Sequence, residues 1–294
     1  MRTRVARIAA VGTFSMVACV TAEPSATTAV STPDVADAAA PETTDANASA
    51  VARLSAIRVA AGAAALETET SLDRGCQHHV AYMRAVGKVL HAEEPEHAAF
   101  SPEGAASGPN ALLASGMPSL DAAIEAWLAE PYHRVALLDP GVRIVGLAFE
   151  SGWACLDVLS RYVPANGAPP VAYPPPEASG VPAHYSGGDT ASLSPLPTGL
   201  VPPVGFILSL AFPPDRPVRG SAQATLRRLS DGIAVSVVTR GPADVGEPFA
   251  TYQRNTVLVI PKAPLLAGTR YEVGVTALAG DVEASRSWQF TTAP

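Results

Sequence analysis

Apolar residues recur at helical intervals through the first half of this chain and alternate through the second. Val51, Leu54, Ile57 and Val59 outline a helix that Gly62 would end. Leu72, Cys76, His79, Val80 and Met83 repeat at helical spacing, so residues 71–86 predict an amphipathic helix stopped at Gly87. Residues 100–117 are rich in Gly, Ser and Pro and predict loop, with one helical turn at 111–114. Ser119 can cap a helix reaching residue 129, with Asp121 in its first turn. Pro131 suits the first position of a further helix ending at 138. Two strands then follow, 143–149 and 153–159, turned by Ser151-Gly152.

Beyond residue 203 the pattern is that of strands: 205–212, 222–229, 233–238, 256–260, 271–277 and 287–291. Ser230-Asp231-Gly232 marks a hairpin turn. Tyr271, Val273, Val275 and Ala277 alternate with polar or small residues, as in a half-buried strand. Short strands at this density predict a β-sandwich. No catalytic constellation stands out in this half.

Composition divides the chain further. Its 294 residues suffice for two modest domains plus unfolded segments. Residues 20–48 are Ala, Thr, Pro, Ser and Asp with almost no large apolar side chain, and predict a disordered tether. Residues 164–203 are rich in Pro and Gly and predict a connector. The expected domains are therefore 49–163 and 204–294. A net charge of −7 with scattered basic residues excludes an electrostatic footprint for nucleic acid. Arg replaces Lys almost everywhere, which we read as genomic bias.

At the N-terminus, Arg2, Arg4 and Arg7 precede a short apolar run at 8–17. That run is well short of the roughly 20 residues needed to span a bilayer, so residues 1–19 read as an export signal. The run ends in Met16-Val17-Ala18-Cys19, which resembles a lipobox with Met in place of the usual Leu. Two outcomes follow: Cys19 is lipidated and the protein is a cell-envelope lipoprotein, or cleavage falls a few residues later and it is secreted. A lipidated Cys19 makes the membrane a partner and leaves Cys76 and Cys155 as a pair. In an oxidising compartment these would form a disulfide between helix and strand; the alternative is two buried thiols.

Four side chains are candidates for chemistry. His79 shares a helix face with Cys76 and Met83 and should line an interior cleft, while His78, about 100° away, is solvated. A core histidine satisfied by backbone is the plainer reading. Pro131 holds Glu130 out of helical geometry, at the corner between two helices, with His133 one turn into the second. Glu103 lies in a loop of small residues and would by default be solvated.

Taken in order, Arg53-Leu54-Ser55-Ala56-Ile57-Arg58, the Leu72…Cys76…His79-Val80-Ala81-Tyr82-Met83 helix, Trp127-Leu128-Ala129-Glu130-Pro131-Tyr132-His133-Arg134, Leu137-Leu138-Asp139-Pro140 and Ile144-Val145-Gly146-Leu147 resemble a CAP domain, the fold of cysteine-rich secretory proteins and venom allergens, in its bacterial secreted branch. The resemblance implies an α/β/α sandwich with a cleft lined by two histidines and two acids. His79 and His133 match the histidines. Glu130 matches the acid three places after the tryptophan, and Glu103 is the candidate loop acid, although outside the usual Gly-Glu-Asn context. The segments around 265–271 and 288–292 resemble bacterial immunoglobulin-like modules. The expected fold class is α+β: a CAP-like sandwich followed by an all-β immunoglobulin-like sandwich.

Imidazoles flanked by carboxylates suit a divalent metal such as Zn²⁺, with His79 and His133 as ligands. The resemblance implies metal binding in some members and sterol or lipid binding in others, with no agreed enzymatic activity. Gly-x-Ser-x-Gly, His-Glu-x-x-His and phosphate-cradling glycine patterns are absent from the sequence. Three functions remain open. The chain is an extracellular binding module for a lipid or sterol, a peptide or an envelope polymer; a metal-dependent hydrolase or protease using the same His/Glu cleft; or a structural adhesion protein.

Overall fold

A computed structural model describes residues 19–21, 42–188, 194–246 and 249–294. Residues 1–18 of the expected signal and 22–41 of the expected tether lie outside these. Cys19, the expected lipidation point, is the first residue of β1 (Cys19–Thr21). Helix α1 (Glu42–Ala61) begins before the expected domain start at 49. The core contacts of this helix start at Ala50, so the apolar pattern marks where burial begins and not where the helix begins. Leu54 and Val51 face inward, whereas Val59 is exposed, being two residues and about 200° round from Ile57.

After β2 (Glu67–Thr68) comes α2 (Thr70–Val86), ended by Gly87 in the left-handed region at φ 71°, its N–H bound to the Met83 carbonyl. The next segment differs from expectation. It forms α3 (Pro102–Ser107), a 3-10 turn at Gly108–Asn110, and then β3 (Ala111–Ser115) where one helical turn was expected. A short apolar run such as Ala-Leu-Leu-Ala suits either state, and pairing with a neighbouring strand decides it. Helix α4 (Leu120–Ala129) is capped by Ser119, whose hydroxyl accepts from the Ala122 N–H at 3.1 Å. Helix α5 (Pro131–Leu138), β4 (Ile144–Glu150) and β5 (Trp153–Asp157) complete this unit.

The five strands form one sheet in the order β1-β3-β5-β4-β2. Side chains alternate between its faces. Leu113, Ala148 and Cys155 pack with Cys76, Val80 and Met83 of α2 on one face. Leu112, Leu147 and Leu156 pack with Leu54, Ile124, Trp127 and Leu137 on the other. The result is helix, sheet, helix. The Cys76–Cys155 disulfide staples α2 to β5, with both cysteines fully buried.

The remaining elements are β6 (Val171–Tyr173), β7 (Ala178–Val181), β8 (His184–Tyr185), β9 (Val204–Gly205), β10 (Leu208–Ala211), β11 (Val218–Arg228), β12 (Val237–Arg240), α6 (Phe249–Gln253), β13 (Thr256–Pro261), β14 (Arg270–Ala279) and β15 (Val282–Thr292). Two four-stranded sheets, β12-β13-β10-β6 and β11-β14-β15-β7, bury one shared core that includes Leu210, Val259, Val273 and Phe290. The expected connector therefore supplies β6 to one sheet and β7 to the other. Both are edge strands, where proline-rich flanks are tolerated. The hairpin expected at Ser230-Asp231-Gly232 closes through a bridge between Arg227 and Ala234, after which the chain crosses to the opposite sheet as β12.

The two units share surface. Val171 of β6 belongs to the helical core. Tyr132 of α5 packs in a cluster with Tyr185, Leu196, Val204, Ile207, Leu258 and Ile260.

Candidate functional site

His79 is fully buried on α2, while His78 is exposed, as their helical faces require. The His79 Nε2 donates to the Leu90 carbonyl at 2.8 Å, and Nδ1 shares a proton with Glu93 Oε1 at 2.9 Å. The other Glu93 oxygen accepts from the Ser101 N–H at 2.9 Å. Both side chains have no exposure to solvent. The acid paired with His79 is thus Glu93, on the loop after α2, and not Glu103. Gly108 presses against this pair: a methyl group there would overlap the His79 ring and the His91 carbonyl oxygen. His91 in turn donates from Nδ1 to the Gly108 carbonyl at 2.9 Å.

Glu103 stands exposed in the first turn of α3. It lines an open pocket of about 450 Å³ between α2, α3 and the segment leaving β5, together with Ser71, Ser107, Asn110, Ser160 and Arg161. Asp157 lies buried behind Ser107 and Ser160. It accepts from the Ser160 N–H at 3.0 Å and the Ser160 hydroxyl at 2.7 Å. Burial pushes its carboxyl up, against the downward pull of hydrogen bonds from Ser160 and Ser107. At the rim, Arg161 binds Glu69 through two hydrogen bonds of 2.7 and 3.0 Å. These bonds, with one from Ser71, hold the Glu69 carboxyl down to about 2.

Glu130 adopts the extended conformation that Pro131 imposes, at φ −85° and ψ 120°. Its carboxylate accepts from the Tyr185 hydroxyl at 3.4 Å. Gly188 comes so close that a methyl group there would overlap the Glu130 carboxylate. The segment joining the two units is thus seated over this acid. His133 is buried one turn into α5, every residue of which is buried.

Arg134 is wholly buried beside His133. It donates to the Leu128 carbonyl at 2.8 Å and the Ile207 carbonyl at 2.7 Å. Its guanidinium lies 4.8 Å from the centre of the Tyr173 ring and 5.3 Å from that of Phe206. Burial lowers its pKa from the usual guanidinium range to about 10. Arg58 plays the same part inside the first unit, donating to the Ala64 carbonyl at 3.0 Å and to the Leu137 and Val142 carbonyls.

Residues 51–162 match the family model of CAP, the cysteine-rich secretory protein family. The match supports a CAP assignment for this segment, whose helices flank a central sheet as the resemblance implies. No curated protein matches the chain. An outer surface protein from Borrelia burgdorferi is similar at 16% identity and a TM-score of 0.32, covering 39% of this chain and 90% of that one. A DUF4426 family protein from Pseudomonas aeruginosa is similar at 14% identity and a TM-score of 0.25, covering 34% and 79%.

The CAP resemblance raised a metal held by His79 and His133. The residues do not fit it. Both His79 nitrogens are engaged, Nδ1 by Glu93 and Nε2 by the Leu90 carbonyl. Among the described residues no three His, Cys, Asp or Glu side chains come together as a group that could hold a metal ion. Sequence reasoning also missed Glu93 and Arg134. Glu93 carries no local signal beyond an acidic run before Pro95. Arg134 did carry one, as a charge inside a helix otherwise made of core residues.

Proposed function

We propose that the chain is an exported, lipid-anchored binding module whose CAP segment grips an envelope polymer. The observation that supports this reading is the open polar pocket at Glu103. Small-ligand sites run from roughly 300 to 1,000 Å³, and this one, at about 450 Å³, lies in that range. Its serines, carboxylate and guanidinium favour a hydrophilic ligand over the sterol or lipid that the family resemblance also allowed. The same reading places an acyl anchor on Cys19, so that a membrane would hold the module at the cell surface. The C-terminal sandwich stiffens the CAP segment through Arg134; its immunoglobulin-like character belongs to this reading.

A hydrolase would need a nucleophile beside a base, or donors converging on a metal. His79 is spent on Glu93, and Glu130 is covered by the segment around Tyr185 and Gly188, so these groups favour binding over catalysis. Co-sedimentation of the full-length chain with insoluble envelope polymer tests the proposal. Saturable binding that Glu103→Arg abolishes is expected. Polymer cleavage that disappears in His133→Ala would instead establish the hydrolase. Labelled fatty-acid incorporation lost in Cys19→Ala tests the anchor.

A further inference from the structure

We infer that the Glu103 pocket is a site for an amino sugar within that polymer. The inference rests on the binding-module reading and adds the chemical class of the ligand. Three hydroxyls of the pocket wall are acceptors whose own protons are already committed. The Ser160 hydroxyl donates to Asp157 at 2.7 Å, and Ser107 is hydrogen-bonded to the same buried carboxyl. The Ser71 hydroxyl donates to Glu69. A hydroxyl that has given its proton keeps lone pairs to offer, so all three serines present oxygen acceptors. The cation at the rim, Arg161, is bound to Glu69 through two hydrogen bonds. Among the described residues, that leaves the exposed Glu103 carboxylate as a charge with no salt bridge, beside three hydroxyl acceptors.

A ligand that complements such a wall carries O–H and N–H donors and a positive charge. A plain polyol satisfies the serines and leaves Glu103 without a counter-charge. A simple amine satisfies Glu103 and leaves the serines facing nothing. An amino sugar supplies both. Leu72 and Leu159 add apolar patches to the same pocket, against which the C–H face of a sugar ring can rest.

The test is calorimetric titration of the full-length chain with a glucosamine tetrasaccharide and with its N-acetylated counterpart, at mildly acidic pH where the free amines are protonated. The free-amine sugar is expected to bind at least about ten-fold more tightly, the scale of one charge-assisted hydrogen bond. Glu103→Gln, at an exposed position where folding is not at risk, should erase that preference while hydroxyl-mediated binding persists. Equal binding of the two sugars, or a preference unchanged in Glu103→Gln, overturns the inference. Binding to neither sugar, with co-sedimentation on envelope polymer retained, overturns the inference and leaves the binding-module reading standing. Loss of both overturns both.

Discussion

The Arg134 guanidinium donates to the backbone carbonyl of Ile207, 73 residues away and in the other structural unit. Helix α5 is thereby hydrogen-bonded to the residue that leads into β10, with the guanidinium between two aromatic rings. Removing the side chain would strand two buried carbonyls, of Leu128 and Ile207, and open a cavity. Arg134→Ala should therefore cost about 3–5 kcal/mol and loosen both units together. Arg134→Lys should recover part of this, since an ammonium cannot reproduce the planar fork or its stacking. Chemical denaturation read separately by near-ultraviolet and far-ultraviolet signals checks it: one shared transition that moves as a whole is expected.

His79 is expected to act as a structural residue. His79→Ala leaves the Glu93 carboxyl buried without its partner, a loss of about 3–5 kcal/mol. Pairing it with Glu93→Leu should restore part of that, because the uncompensated acid is gone. Gly108→Ala should destabilise by about 1–3 kcal/mol through overlap with the same ring. Thermal unfolding of the four proteins is the check.

The Cys76–Cys155 bridge closes a loop with a sequence separation of 79, and both ends lie in the core between α2 and the sheet. Loop-closure entropy puts its contribution at about 3–5 kcal/mol. Reduction under native conditions should therefore be slow, and the Cys76→Ala/Cys155→Ala protein should unfold at markedly lower denaturant. Equilibrium unfolding with and without reductant measures this.

Acid should weaken the Glu69–Arg161 contact. The folded Glu69 carboxyl is held at about 2 against an ordinary 4.5, so its contribution is present above 4.5 and lost as pH falls through about 2. Asp157 and Asp73 have the opposite sign: burial raises both, so their contribution is present below about 3.8 and lost as pH rises through their folded values. The difference between the natural protein and Arg161→Met therefore reports chiefly Glu69, with a smaller part from the Arg161–Asp157 attraction. That difference should shrink between pH 5 and pH 2, as followed by urea midpoints.

Much of residues 51–162 is legible because its cues are local. Helix α2 follows from the spacing of Leu72, Cys76 and Met83, and its end from Gly87. Ser119 and Pro131 mark the next two helix starts in the same way. Strand β3 has no such cue: Ala111–Ser115 is covered on both faces, so it shows no alternation. Strands β6 and β7 are short and exist because β10 and β15 offer them edges. The acid for His79 could not be read from sequence, because the loop that carries Glu93 folds back in three dimensions. The Glu103 pocket depends on Ser160 and Arg161, which meet Ser71 only once the sheet has formed.

The central claim is that ligand enters at Glu103 and not at the Glu130–His133 corner. Amide chemical-shift mapping of the full-length chain, titrated with soluble fragments of envelope polymer, tests it most directly. The predicted result is saturable shifts clustered at Ser71, Ser107 and Ser160, with the amides of Tyr185 and Gly188 unmoved. Shifts clustered at Glu130, His133 and Gly188, with the pocket serines unmoved, would contradict it.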